Sequence, residues 1–184
     1  MRVTVEKLKA LSACSEQVRL FAKLFPDGVD VTEALCVVHA DKFDWNWAAR
    51  HLLPDPLWAD YNAKCAALWA DYEAKRAALW ADYEAKRKPL LVDYKSKRDS
   101  LWADYRSKCA ALWASAPLLA DLESKYDSLL ADLEPKRDAL WADYESKRAP
   151  LWADYTSKRV ALLDACDTKC AALFGRLAEQ ANDC

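Results

Sequence analysis

The sequence predicts an all-α protein: a small helical N-terminal unit followed by long kinked helices of eleven-residue repeats, folded back as an antiparallel hairpin. Three observations predict it. Residues 57–174 repeat one unit, typified by Leu68-Trp69-Ala70-Asp71-Tyr72-Glu73-Ala74-Lys75-Arg76-Ala77-Ala78. The 184 residues include only 2 glycines, with 53% apolar and 30% charged residues, a helix-rich balance rather than that of a disordered chain. The repeat loses its phase once, near its middle, at residues 112–117.

Residues 1–53 carry no repetition and read as a module of short helices. Val5 to Leu11 is the first. Cys14 to Phe25 is the second, with Val18, Leu20, Phe21, Leu24 and Phe25 near one face and Pro26-Asp27-Gly28 as its stop. Thr32 caps a third through Val38, and Asp44 a fourth through Leu53. So small a unit buries little apolar surface alone, which makes Phe21, Phe25, Trp45, Trp47, Leu52 and Leu53 its expected core. Residues 54–56, Pro54-Asp55-Pro56, read as a stiff extended hinge, because proline restricts both itself and the residue before it.

The first repeat arm is residues 57–114. Eleven residues in three turns is 3.67 per turn, so each unit returns almost to its starting azimuth on an α-helix. At about 98° per residue, the first, fifth, ninth and second positions fill one arc, and small residues fill the opposite side. That arc carries Leu, Tyr, Arg or Cys, and Trp. Its rings are the expected interaction surface: Trp58, Tyr61, Trp69, Tyr72, Trp80, Tyr83, Trp102, Tyr105, Trp141, Tyr144, Trp152 and Tyr155, with Arg76 and Arg148. The spacing Tyr72-Arg76-Trp80 suggests a guanidinium lying between two ring faces. Acid and base four apart, as in Asp71/Lys75 and Asp82/Lys86, line the flank and favour helix. A continuous row of exposed rings demands a covering surface, in cis or in trans.

Losing five residues at 112–117 rotates the stripe by roughly 130°, so a straight helix would misalign its own faces. A turn is therefore expected at residues 115–117, with a second arm at 118–174 and a C-terminal tail at 175–184. The repeat stays in phase across Pro89 and Pro150, which favours kinks over chain reversals, and Pro135 should add another bend. A bundle of shorter helices broken at the prolines is the alternative. Leu119, Leu122, Leu130 and Leu133 make the start of the second arm more aliphatic.

Catalytic residues are not suggested by any nucleophile elbow, phosphate-cradling loop or paired-histidine metal motif, and no cofactor or small-molecule substrate is implied. The four residues Cys14, Cys36, His39 and His51 offer zinc-ligand types, yet only Cys36-x-x-His39 has ligand spacing, so no metal is assigned. The seven cysteines, odd in number and scattered, fit reduced thiols better than a disulfide framework. With 27 Lys+Arg against 29 Asp+Glu, the net charge of -2 disfavours nucleic acid as partner. There is no apolar export segment near Met1 and no uncharged run long enough to span a bilayer, so a cytoplasmic protein is expected.

The pattern Cys14-Ser15-Glu16 with Val18 and Phe21, then Phe25-Pro26-Asp27-Gly28 and Asp44-Trp45-Asn46-Trp47, joined to Pro-Leu-Trp-Ala-Asp-Tyr units, resembles a group of uncharacterised bacteriophage and bacterial proteins. The resemblance implies a bacterial or phage-infected cytoplasm, and it transfers no activity and no site residues. The expected role is a non-enzymatic structural or protein-interaction protein, with the repeat arms as spacer or self-assembly surface. Two alternatives are a peripheral lipid-binding amphipathic helix and single-stranded nucleic-acid binding by the Arg-aromatic stripe.

Overall fold

The structure, a computed structural model, describes residues 1–115 and 119–183. It is all-α, with two long helices packing against each other. The elements in order are β1 (Arg2–Val3), α1 (Val5–Ala10), α2 (Ser15–Leu24), β2 (Val29–Asp30), α3 (Glu33–Val38), α4 (Trp45–Leu52), α5 (Asp55–Ser115) and α6 (Leu119–Asp183). They form two compact units. The first is Met1–Ala77 with Arg159–Cys184, and the second is Ala78–Lys158.

In the first unit three of the four short helices, α1, α3 and α4, begin where a capping side chain stands. Thr4 Oγ1 accepts from Lys7 N–H at 3.3 Å, Thr32 Oγ1 from Leu35 N–H at 3.2 Å, and Asp44 Oδ1 from Trp47 N–H at 2.9 Å. Each satisfies a donor that a helix's first turn leaves open. A feature absent from the sequence reading joins them: β1 and β2 pair antiparallel, Arg2 opposite Asp30 and Val3 opposite Val29. Two-residue strands are too short to leave a periodic signature. The pairing depends on Gly28, whose φ is +77° and where a Cβ would stand 2.8 Å from the Val3 carbonyl oxygen.

Pro54 to Pro56 is not an extended hinge. Helix α5 begins at Asp55, and the Pro54 carbonyl accepts its first bond from Trp58 N–H at 2.9 Å. Pro56 falls in the first turn, where a missing N–H costs nothing and the fixed φ already suits a helix. The three internal prolines do not end their helices either: Pro89 lies within α5, and Pro135 and Pro150 within α6. All three are exposed, so the carbonyl that each frees one turn earlier can turn to water. Of the turn expected at 115–117, Ser115 closes α5 and the other two residues lie outside the described ones.

The tail expected at 175–184 is instead helix to Asp183, and it lies at the centre of the first unit. Leu173, Phe174, Leu177 and Ala178 join one core with Val3, Leu8, Val18, Phe21 and Cys36. Phe174 is only 1% exposed, with Trp45 5.5 Å from its ring. Gly175 lets α6 touch α3: a Cβ there would stand 2.5 Å from the Glu33 Cα. Beside it, Glu179 Oε1 accepts from the Glu33 N–H at 3.0 Å, an anion at the start of α3. The boundary at residue 53 thus gives way to a unit built from both ends of the chain.

Candidate interaction surface

The fifth position of the repeat is the seam. Tyr61 is 1% exposed, and Tyr72, Tyr83, Leu133 and Tyr144 are also buried. In the second unit the tyrosines of the two arms meet ring to ring, Tyr83 with Tyr155 at 5.6 Å and Tyr94 with Tyr144 at 5.3 Å. These pairs fix an antiparallel register. Each later unit of α5 faces an earlier unit of α6, and Tyr105 stands 6.3 Å from Tyr126. Offset and tilted ring pairs at these distances are the favoured aromatic arrangements.

Tryptophan, at the second position, is the edge of the seam rather than its centre. Six indoles lean on the tyrosine three residues later: Trp58 on Tyr61, Trp69 on Tyr72, Trp80 on Tyr83, Trp102 on Tyr105, Trp141 on Tyr144 and Trp152 on Tyr155, all at 5.4 to 6.0 Å. Three also reach across, Trp80 to Tyr155, Trp152 to Tyr83 and Trp141 to Tyr94. Their outer surfaces stay bare. Trp80, Trp102, Trp141 and Trp152 are 40 to 50% exposed, and Trp113, absent from the expected surface, is 67% exposed.

These indoles share one face. On the wheel the ninth, second and sixth positions lie to one side of the fifth, and the first, eighth and fourth to the other. A pair of antiparallel helices has a two-fold axis perpendicular to the plane of the pair, so each side is the same face on both arms. The charged side agrees with this. The Lys86, Lys97 and Lys108 ammonium groups are held above their ordinary range, first by hydrogen bonds to Asp82, Asp93 and Asp104, and further by Asp154, Asp143 and Asp132 of the opposite arm.

The arginines take partners other than the expected pair of ring faces. Arg76 is paired with Glu73 at 2.6 Å, Arg87 with Glu84 at 2.9 Å and Arg148 with Glu145 at 2.7 Å. Tyr144 and Tyr83 of the opposite arm further favour the charged forms of Arg87 and Arg148. A carboxylate three residues earlier offers directed acceptors, which a ring face does not.

The residues weighed for zinc are held otherwise. His39 packs edge-on against Phe25 at 5.3 Å, and His51 stacks on Trp47 at 4.5 Å with Nδ1 2.9 Å from the Trp47 carbonyl oxygen. Burial, reinforced by Glu179 and Glu33, pushes the Cys36 thiol up to about 12. No grouping of three or more metal-ligating side chains occurs among the described residues. Cys36 and the exposed Cys14 both line a half-enclosed apolar cavity of about 340 Å³ in the first unit, with Phe21, Phe43, Trp47 and Leu52. Among the described residues no helix is long and apolar enough to cross a membrane.

In the first unit the same tryptophan positions are covered. Trp58 and Trp69 are half-buried and pack on the core that contains the N-terminal helices. Sequence reasoning placed the ribbon but missed this cover and passed over Phe174, Leu177 and Gly175. The signal was present: Leu173-Phe174-Gly175-Arg176-Leu177 keeps the eleven-residue phase, with Phe174 at the tryptophan position and Leu177 at the tyrosine position. No protein-family model, no curated protein and no solved structure matches this chain.

Proposed function

We propose that this chain is a non-enzymatic structural protein that self-associates through the tryptophan face of residues 78–158. The observation that carries the reading is the row of five indoles, 40 to 67% exposed, on one face of a paired helix. At about 250 Å² for a full aromatic side chain, they offer roughly 600 Å² per copy. Two copies meeting there bury about 1,200 Å² from indoles alone, the lower limit of a stable interface. A second copy also suits the charge. Arg87 and Arg148 are already balanced by Glu84 and Glu145, so face-to-face contact does not bury these two guanidinium groups without a partner. The same balance argues against a polyanion or an anionic bilayer, which an uncompensated basic face would draw. The bacterial or phage-infected cytoplasm is the setting that the sequence resemblance supports.

Sedimentation equilibrium of the full chain from 1 to 100 μM tests the reading, together with the triple variant W80A/W141A/W152A. The expected result is a dimer or higher oligomer for the parent and a monomer of unchanged helicity for the variant. A parent that stays monomeric at 100 μM overturns it. So does equal association of both chains. Indole emission that shifts with phosphatidylglycerol vesicles, or with oligo(dT), while the protein alone stays monomeric transfers the face to lipid or nucleic acid.

A further inference from the structure

From the way the repeat registers across the two arms, we infer that Cys65 and Cys170 are a thiol redox site, closing reversibly into an intramolecular disulfide that bolts α5 to α6 within the first unit. This inference is independent of self-association.

Both residues occupy the ninth position of their units. The register that sets Tyr83 against Tyr155 and Tyr94 against Tyr144 also brings ninth positions level with each other across the seam. In the second unit those positions hold Arg87 and Arg148, two like charges that each need a carboxylate. In the first unit they hold two thiols. Cys65 is 4% exposed and Cys170 6%, both lie in one buried core, and each thiol is the strongest single influence on the other's ionisation. Side chains converging from facing helices are the approach that a disulfide needs. Cys166 is also buried, but it shares α6 with Cys170 one turn away, where both side chains leave the helix in the same direction.

The surroundings suit one thiol to be the nucleophile. The neighbouring Cys170 thiol pulls the Cys65 thiol below its ordinary range against the opposing effect of burial. The thiolate is the reactive form. A cavity of about 410 Å³ gives access, lined by Tyr61, Trp69, Asp167, Cys170 and residues of the segment before α4. It opens on Tyr61 and Cys170, the residues beside the Cys65 thiol, and is wide enough for a small hydroperoxide.

The step balances with a hydroperoxide as oxidant. The Cys65 thiolate attacks one peroxide oxygen, the O–O bond breaks, and with one proton taken up the products are Cys65 sulfenic acid and water. The Cys170 sulfur then attacks the sulfenic sulfur and expels hydroxide, which takes the Cys170 proton to leave as water. Two thiols are oxidised by two electrons and hydrogen peroxide is reduced to two waters. A dithiol reductant reverses the bond by exchange.

The test uses the full chain with 0.2 mM hydrogen peroxide, then alkylation and peptide mapping without reductant. The expected product is a Cys65–Cys170 cross-linked peptide pair, lost on adding dithiothreitol and formed equally in C166S. Closing a loop of this length should raise Tm by about 10 °C, an increase absent from C65S. Cys65 carried to sulfinic acid without a cross-link overturns the inference. So does a linkage that uses Cys166, or a C65S chain whose Tm rises as much as the parent's.

Discussion

The two units are made from the same eleven-residue repeat and differ in what covers it. In the second unit the seam is self-sufficient, with tyrosines meeting tyrosines while the indoles beside them stay half bare. In the first unit the N-terminal helices close over the equivalent positions, and the core mixes repeat residues with residues of no repeat at all. The difference teaches that a periodic sequence fixes where a sticky face lies but not what occupies it. The occupant in the first unit comes from elsewhere in the same chain. In the second, the reading advanced above gives that place to another copy.

The sharpest way to break the comparison is to truncate the same repeat position in each unit. Phe174 and Trp152 both stand at the second position, one 1% exposed and the other 45%. Phe174→Ala should cost about 3 to 5 kcal/mol in urea unfolding, by lost transfer and a cavity. Trp152→Ala should cost about 2 kcal/mol in the monomer, less than Phe174→Ala because nearly half of that indole never leaves water. Equal losses would mean that the second unit's face is covered after all.

Next in size is the third position, where Gly175 replaces the usual alanine. Gly175→Ala gains about 1 kcal/mol of helix propensity but drives a methyl into the α3 backbone, so a net loss of about 2 kcal/mol is expected. Ala153→Gly, the reverse change at an exposed site of the second unit, should lose about 1 kcal/mol. Paired thermal melts check both, and a stabilised Gly175→Ala chain would deny the close approach of α6 to α3.

Acid should act on the second unit through its ion pairs. Hydrogen bonds from Lys136 and Lys147 hold Asp132 and Asp143 below their usual 3.8, and that from Arg148 holds Glu145 below 4.5. Since the native values are the lower ones, their contribution is complete above those unfolded values and is lost as pH falls through the native range. Helicity followed by circular dichroism should therefore hold from pH 7 to about 5 and fade below about 4. Fading that begins near pH 6 would point to another group. The smallest effect is that of a single flank pair. Asp82→Asn removes one exposed partner of Lys86 and should move Tm by about a degree at most, more weakly still in 0.5 M salt.

Much of this was legible. The caps at Thr32 and Asp44 announced α3 and α4 to within a residue, because capping is a contact between near neighbours in the chain. Pro89 and Pro150 stayed inside helices, as the unbroken phase favoured, and so did Pro135; all three are exposed to water. The seam was legible as a ribbon but not as a division of labour between buried tyrosine and edge tryptophan, since the wheel separates the two by only about 65°. The β1–β2 pair was not legible, because its partners are 26 to 28 residues apart and two residues long.

By itself the sequence determined the helices, their phase and the strip of rings they carry, all of which follow from spacings of three, four and eleven residues. Only the tertiary structure decided that a supposed tail is core, that Gly175 stands where α3 must pass, and that Cys65 and Cys170 share one buried core. The reason is separation along the chain. The Glu33–Glu179 bond spans 146 residues, and no local periodicity can say which distant surface will arrive to fill a face.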